Sequence, residues 1–430
     1  MNRVTLSNLS QKLKKTSDLN SLNTGKNKKN LILIKNILIK NKSLITRSIT
    51  KDSKKSLIDA ENEFKASIEI WKYAINNISK IQEKKKFKFS NKRTGKIIYK
   101  PIGLVAFITP WNYPLLTLSE RLPFCLAAGC NVLIKTSEYS KNFKNVLIKI
   151  FAGNRKITNI MHVLKIVDPT VGNLICNEKK ISAISFVGST ETGKKILKQS
   201  ASSMKKIFLE LGGKNCAIVT KKAKLKTAVV KIVNAIFENA GQACVGISRI
   251  IIHEDVYDKF LENLVNQIRT QFNKKNKYFQ MPANEKQKKK VIYQLKYIKK
   301  KYRNEIYKIF NIGSKLFTPI LINLKTKNRY FNENEFFFPI VTIEKFKTLT
   351  DAVNLSNASP YGLAAYIFSS HQGEINFLTN EINAGRIWHN TSLQWNPSLP
   401  VGGFNLSGQD RDMGIQGYYN YLTTKSIYSD

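Results

Sequence analysis

The sequence predicts an α/β protein built on a mostly parallel sheet with helices on its faces. Two observations carry that reading. Short apolar runs recur along the chain, separated by longer stretches of helical periodicity, which is the rhythm of strand–helix–strand units. A chain of 430 residues, 42% hydrophobic and 10% aromatic, also exceeds one ordinary core and suggests two or more domains.

Taken in order, residues 30–50 and 55–85 read as two helices, the second carrying the acidic-apolar pattern IDAENEFKASIEIWKYAI. Residues 83–101, EKKKFKFSNKRTGKIIYKP, alternate around a turn signal and predict an exposed hairpin. GLVAFI (103–108) is strand-like, LSERLPFCLAAG (118–129) is helical and ends at Gly129, and NVLIK (131–135) is strand-like again. HVLKIV, AISFVG, KIFLEL and CAIVT are further short apolar runs. Residues 271–310 carry 13 Lys/Arg against 2 acidic residues and read as a loop followed by a basic helix. No internal repeat is present.

Composition excludes several classes of function. The five cysteines (Cys125, Cys130, Cys176, Cys216, Cys244) are odd in number and form no CxxC pair. No disulfide framework and no metal site are expected, and a reducing compartment, the cytoplasm, is. The net charge of +42, from 71 Lys/Arg against 29 Asp/Glu, raises nucleic-acid binding. The excess is mostly lysine, however, and accompanies heavy Asn and Ile usage throughout, the mark of AT-rich codons. No zinc-finger, RRM-type or helix-turn-helix signature goes with it, so no specific nucleic-acid partner is expected. MNRVTLSNLSQKLKK lacks an apolar core of the secretory kind, and LILIKNILIK is interrupted by lysine too often to span a bilayer. No membrane insertion is expected. The first seventeen residues carry no acid, which leaves a mitochondrial-type presequence open.

The chemistry gathers at the ends of the apolar runs. ENAGQACVGISR (238–249) sets Cys244 in a turn of small residues between a helical run and the strand-like IIIH. FVGSTETGKK (186–195) runs a strand into a helix start whose free N–H groups suit a pyrophosphate. LELGGKN (209–215) ends a strand with Glu210 and two glycines, and ITPWNYP (108–114) ends another with Trp111 and Asn112. PVGGFNLSG (400–408) is a further glycine-rich loop. Each alone reads as turn chemistry, and a free cysteine is most often a small core residue.

Together and in this order they resemble the aldehyde dehydrogenase superfamily, of the NAD(P)-dependent, non-phosphorylating type. The matching pieces are PWNYP, LAAGCNVLIKTSE, FVGSTETG, LELGGKN, NAGQACVGISR, SPYGLAAYIF, AGRIWHNT and PVGGFNLSGQDRDMG, over roughly residues 50–430. The spacing matches too: Glu210 precedes Cys244 by 34 residues and Asn112 precedes Lys135 by 23. The resemblance implies a Rossmann-like cofactor domain, an α/β catalytic domain and a small β oligomerisation element. Residues 1–82 would be N-terminal helices of the cofactor domain, 83–101 an oligomerisation hairpin and 102–212 the NAD-binding domain. Residues 213–412 would form the catalytic domain and 413–430 a C-terminal oligomerisation segment, which includes TTKSIYS (423–429). A homodimer or homotetramer is implied.

By the same resemblance Cys244 is the nucleophile. A soft thiolate adds to a carbonyl and later leaves from a thioester. Asn112 is the side-chain donor to the oxyanion, beside the Cys244 backbone N–H. Glu210 is the general base that activates the hydrolytic water. Lys135 and Glu138 meet the adenosine ribose hydroxyls, and a carboxylate there favours NAD over NADP. Gly188 and Ser189 lie by the pyrophosphate, and Glu335 and Phe337 hold the nicotinamide ribose. Thr109, Trp111 and Leu211 complete the cofactor-contacting positions. A glutamate base argues against a CoA-acylating or phosphorylating relative, which needs no activated water.

The chain departs from the family pattern at several places. Phe338 stands where a glycine is usual and is expected to crowd the nicotinamide loop. Ile166 and Asp168 replace a Gly-x-Gly pattern, Thr136 stands where proline is common, and Phe279-Gln280 replaces a Gly-Pro step. Asn112 arrives early in the chain, so the usual first strands are expected to be missing. These changes keep a second reading open, a catalytically weakened homologue with a binding or structural role. Glu120, eight residues after Asn112, falls on the same helical face and should line the aldehyde tunnel, unless Arg121 faces it instead or the two form an ion pair. A carboxylate there favours an uncharged or amine-bearing aldehyde over succinic semialdehyde.

Overall fold

The computed structural model describes residues 3–16, 22–81, 84–89, 93–273, 281–310, 317–326 and 328–429. The Phe279-Gln280 step and the tip of the hairpin at 90–92 lie outside them.

Two mostly parallel sheets carry the molecule. The first has the order Gly408–Gln409, Lys206–Glu210, Ala183–Val187, Leu104–Ile108, Asn131–Lys135, Met161–Val163. The three strands at its centre are buried at every residue. A sheet covered by helices on both faces selects continuous apolar runs rather than alternation, which is why GLVAFI, NVLIK and AISFV read as they do. Leu104–Ile108 comes first in the chain; the next two strands lie to one side of it and the following two to the other. The order reverses between Leu104–Ile108 and Ala183–Val187, and at such a reversal a crevice opens at the carboxyl ends of the strands.

The second sheet has the order Ile306–Ile309, Ile320–Asn323, Ile340–Phe346, Arg249–His253, Cys216–Val219, Ala364–Phe368, Arg386–His389, parallel except at its first pair. Apolar clusters fill both of its faces. A separate antiparallel sheet sets Thr94–Pro101 between Lys84–Lys88 and Leu422–Ser429, in register from Leu422 opposite Pro101 to Ser429 opposite Thr94.

Several elements differ from their sequence reading. The helix expected over 30–50 is two, Thr24–Lys40 and Lys42–Ser53, which meet at Asn41. The Asn41 side chain donates to the Ile37 carbonyl, 2.8 Å away, competing with the helical ladder at the break. The second helix is Leu57–Asn77, capped by Ser56, and it buries Trp71, whose Nε1–H donates to Ser119. The stretch 118–129 breaks into the end of Pro114–Ser119 and Leu122–Ala127, because Pro123 has no N–H to continue the ladder. Of HVLKIV only His162 and Val163 are strand, in the three-residue Met161–Val163. The basic stretch forms the helix Glu285–Lys301, which buries Val291, Leu295 and Ile298.

One return of the chain shapes the crevice. Gly408–Gln409 pairs antiparallel with Leu209 and Glu210. Gly408 has φ +137°, and a Cβ there would meet the Leu209 carbonyl oxygen at 2.1 Å, so a side chain is excluded. This contact brings Asp412 against residues that follow the first strand.

Among the described residues no helix is long and apolar enough to cross a membrane, and no group of His, Cys, Asp and Glu is placed to hold a metal ion.

Candidate active site

A cavity of about 440 Å³ lies at the carboxyl ends of the first sheet and runs toward the second. Trp111 and Asn112 enter it after Leu104–Ile108, Gly188 and Ser189 after Ala183–Val187, and Glu210 and Leu211 at the end of Lys206–Glu210. Cys244, Glu335, Phe337 and Arg386 close it from the other side.

The cysteine is presented by strained backbone. After the helix Leu225–Phe237, Asn239, Ala240 and Gly241 have φ of 48°, 56° and 72°. Three left-handed residues in succession make a tight loop of the kind held at functional sites. The loop is tied down by asparagines. Asn112 Nδ2 donates to the Gln242 carbonyl at 2.9 Å, and Asn239 Nδ2 donates to the Asn112 carbonyl at 3.3 Å. Asn215 Nδ2 donates to the carbonyls of Cys244 and Gly246.

Cys244 Sγ–H points to Glu210 Oε1 at 3.6 Å. Burial pushes the thiol well above its ordinary range, and the Glu210 charge adds to this while Arg386 opposes it. Burial would also raise Glu210, but Arg121 and Arg386 hold its carboxyl below the usual value. The resting pair is therefore a thiol facing an ionised acceptor. Arg121, 2% exposed, binds Glu210 and Asp412 at 2.5 Å each and lies 3.8 Å from Glu120. Glu120 lines the cavity and is pushed up to about 7, by burial first and then by Glu210. Asp412 is pushed up to about 6 by burial.

The remaining residues singled out in the sequence spread along the sheet edge. Ser189 caps the helix Thr190–Ser200 and accepts from the Thr192 N–H. Leu211 N–H bonds the Ser407 carbonyl. Glu335 accepts from the Gly213 N–H at 3.0 Å, and Phe337, at φ +54°, meets Trp111 edge to face. Lys135 and Glu138 stand one strand over, outside the cavity, Lys135 buried and Glu138 exposed. Thr109 is buried beside them, its N–H on the Lys135 carbonyl.

Phe338 does not crowd the cavity. Its ring joins the core cluster of Leu295, Phe317 and Phe336, while Phe337 takes the cavity wall. Asp168 serves as a helix cap, accepting from the N–H groups of Thr170 and Val171 ahead of Pro169–Asn177. Ile166 is 45% exposed. Thr136 is buried, with no partner for its hydroxyl among the described residues.

Sequence reasoning missed three parts of the site. Asp412 and Arg386 sit in stretches quoted above, GQDRDMG and AGRIWHNT, yet neither was picked out. Tyr113 O–H donates to Glu238 at 2.6 Å on the cavity wall.

Fold and cavity together define a nucleotide-binding type of α/β architecture closed over a thiol. The comparisons narrow this further. The sequence model described as aldehyde dehydrogenase family matches residues 10–427, and the chain belongs to that family. It is 29% identical over 388 residues to aldehyde dehydrogenase [NAD(P)+] 2 of Saccharomyces cerevisiae, covering 86% of this chain and 76% of that protein. It is also 29% identical over 403 residues to the mitochondrial succinate-semialdehyde dehydrogenase of Hylobates lar, covering 91% and 75%. A crystal structure of Staphylococcus aureus betaine aldehyde dehydrogenase in complex with NAD+ superposes with a TM-score of 0.91 at 25% identity, covering 99% of this chain and 86% of that one.

Proposed function

We propose that this NAD(P)-dependent aldehyde dehydrogenase uses NAD to oxidise an aldehyde to a carboxylic acid through a thioester on Cys244. The observation that carries the reading is the Cys244–Glu210 contact, 3.6 Å, inside the cavity at the strand ends. The thiol proton passes to Glu210 as the sulfur adds to the carbonyl carbon. Asn112, fixed beside the loop, donates to the oxyanion. Loss of the aldehydic hydrogen as hydride leaves the thioester; Glu210 then gives the thiol proton to solvent, and water activated by the freed carboxylate hydrolyses the thioester. Arg121, itself paired with Asp412, holds Glu210 in place throughout.

The residues present fit a dinucleotide. Gly188 and Ser189 open a helix of 11 residues onto the cavity, which suits a pyrophosphate. Lys135 and Glu138 suit a ribose with a free 2′-hydroxyl, and Glu335 with Phe337 suits the nicotinamide end. Bound NAD supplies the hydride acceptor. Production of NADH with a panel of aldehydes tests the reading; no NADH with any of them would contradict it.

We divide the chain as its sequence suggests, into a cofactor domain at 102–212 and a catalytic domain at 213–412. The cytoplasm suits five free thiols. The strands Lys84–Lys88 and Leu422–Ser429 are both edges of a small, largely exposed sheet, which favours completion by a second copy. Light scattering at micromolar concentration should report a dimer or tetramer, and a monomer would count against this.

The relatives named above differ in substrate charge, so the pocket has to decide. Asp59, Glu120 and Glu238 line it against Lys290 and Arg386, in a chain where acids are outnumbered 71 to 29. An uncharged or amine-bearing aldehyde should have a kcat/KM about tenfold or more above that of succinic semialdehyde. Glu120 is neutral below about 7 and charged above it, so the margin should widen from pH 6 to 8. A preference for the semialdehyde would contradict the assignment.

A further inference from the structure

Arg386 opens the strand Arg386–His389, with its backbone N–H on the Leu363 carbonyl. Its side chain is 13% exposed and lines the same cavity as Cys244, Glu210 and Glu120. Among the described residues its one ion pair is with Glu120, Nη2 to Oε1 at 3.9 Å, which is too long for a hydrogen bond. Its Nε is buried and has no hydrogen-bond partner among the described residues. A guanidinium left this dry and this poorly satisfied is costly unless an anion meets it during turnover.

We propose that Arg386, braced by Glu120, supplies the positive charge that balances the Cys244 thiolate and then the oxyanion formed when that thiolate adds to the aldehyde. This rests on Cys244 as the nucleophile. When the S–C bond forms, the carbonyl π pair moves to oxygen and the thiol proton resides on Glu210, so a negative charge stays beside Cys244 throughout. Asn112 brings a neutral donor and already spends one N–H on Gln242. Arg121 is fully committed to Glu210 and Asp412. Arg386, on the cavity wall, keeps donors open. The groups whose charges act on or respond to Cys244 are Glu210, Glu120, Glu335, Tyr113, Tyr366 and Arg386, and of these Arg386 alone is cationic. Its charge favours the thiolate against burial and three carboxylates.

The test is the rate of iodoacetamide alkylation at Cys244, followed by peptide mass from pH 7.5 to 10, in the wild type, R386Q and R386K. That window lies above the titration of Glu120. The other four cysteines are buried, so labelling should be confined to Cys244. R386Q should alkylate about tenfold more slowly at pH 8, with its profile displaced to higher pH, and R386K should recover most of the rate. In turnover, R386Q should lose kcat/KM to the same extent for an uncharged aliphatic aldehyde and for succinic semialdehyde. An R386Q profile that overlays the wild type, or a loss confined to the semialdehyde, overturns the proposal. Undiminished labelling of C244A would overturn the nucleophile assignment itself. Folding of each variant is checked by circular dichroism, and R386K keeps the test valid if R386Q does not fold.

Discussion

Replacing Cys244 by alanine is expected to lower kcat by roughly 10⁴-fold or more, the scale for removing a covalent nucleophile. The fold should survive. Cys244 is half-buried, its backbone carbonyl is held by Asn215, and the loop is tied by Asn112 and Asn239 rather than by the thiol. The stability change should be about 1 kcal/mol or less. NAD binding should be retained, since the helix start at Ser189 and the Glu335 carboxylate are untouched. Calorimetric titration with NAD and a thermal melt, run beside the activity assay, separate a chemical defect from a folding one. Normal turnover in this variant would remove the thiol from the mechanism.

Glu210→Gln is expected to lower steady-state kcat by about 10²- to 10⁴-fold, as loss of a general base does. The amide oxygen can still accept from Arg121, and Asp412 still pairs with that guanidinium at 2.5 Å. Destabilisation should therefore stay within about 1–3 kcal/mol, below the cost of leaving a buried charge unpaired. If deacylation is the step that suffers, NADH should appear as a pre-steady-state burst followed by slow turnover. The Sγ–Oε1 contact of 3.6 Å means that Glu210 also faces the thiol proton. A trace with no burst and a slow first turnover would assign Glu210 chiefly to thiol activation.

Much of this site could be read from the chain because its chemistry sits at strand ends. Glycines and a fixed turn are needed there, as in FVGSTETG and LELGGKN, and such residues stand out against apolar runs. What stayed hidden was assembled across the chain. Arg121, Glu210 and Asp412 converge only because Gly408 lets the C-terminal segment lie against Leu209. Nothing local at any of the three residues announces that contact. Arg386 was invisible for a different reason, since one arginine carries no signal among 71 Lys/Arg. The expected crowding by Phe338 failed on side-chain direction. A residue one place from the cavity wall can turn wholly into the core, and in this loop Phe337 takes φ +54° and the wall position. The break at Asn41 escaped because asparagine is common enough in this chain to look unremarkable within a helical run.

The central claim is that an acyl group passes through Cys244 and is released by Glu210. Intact and peptide mass spectrometry of the Glu210→Gln variant, quenched after mixing with NAD and a good aldehyde, tests it most directly. An adduct of aldehyde mass less two hydrogens is expected, located on the peptide that carries Cys244 and absent from the same experiment without NAD. An adduct on any other residue, or NADH formed with no adduct at all, would contradict it.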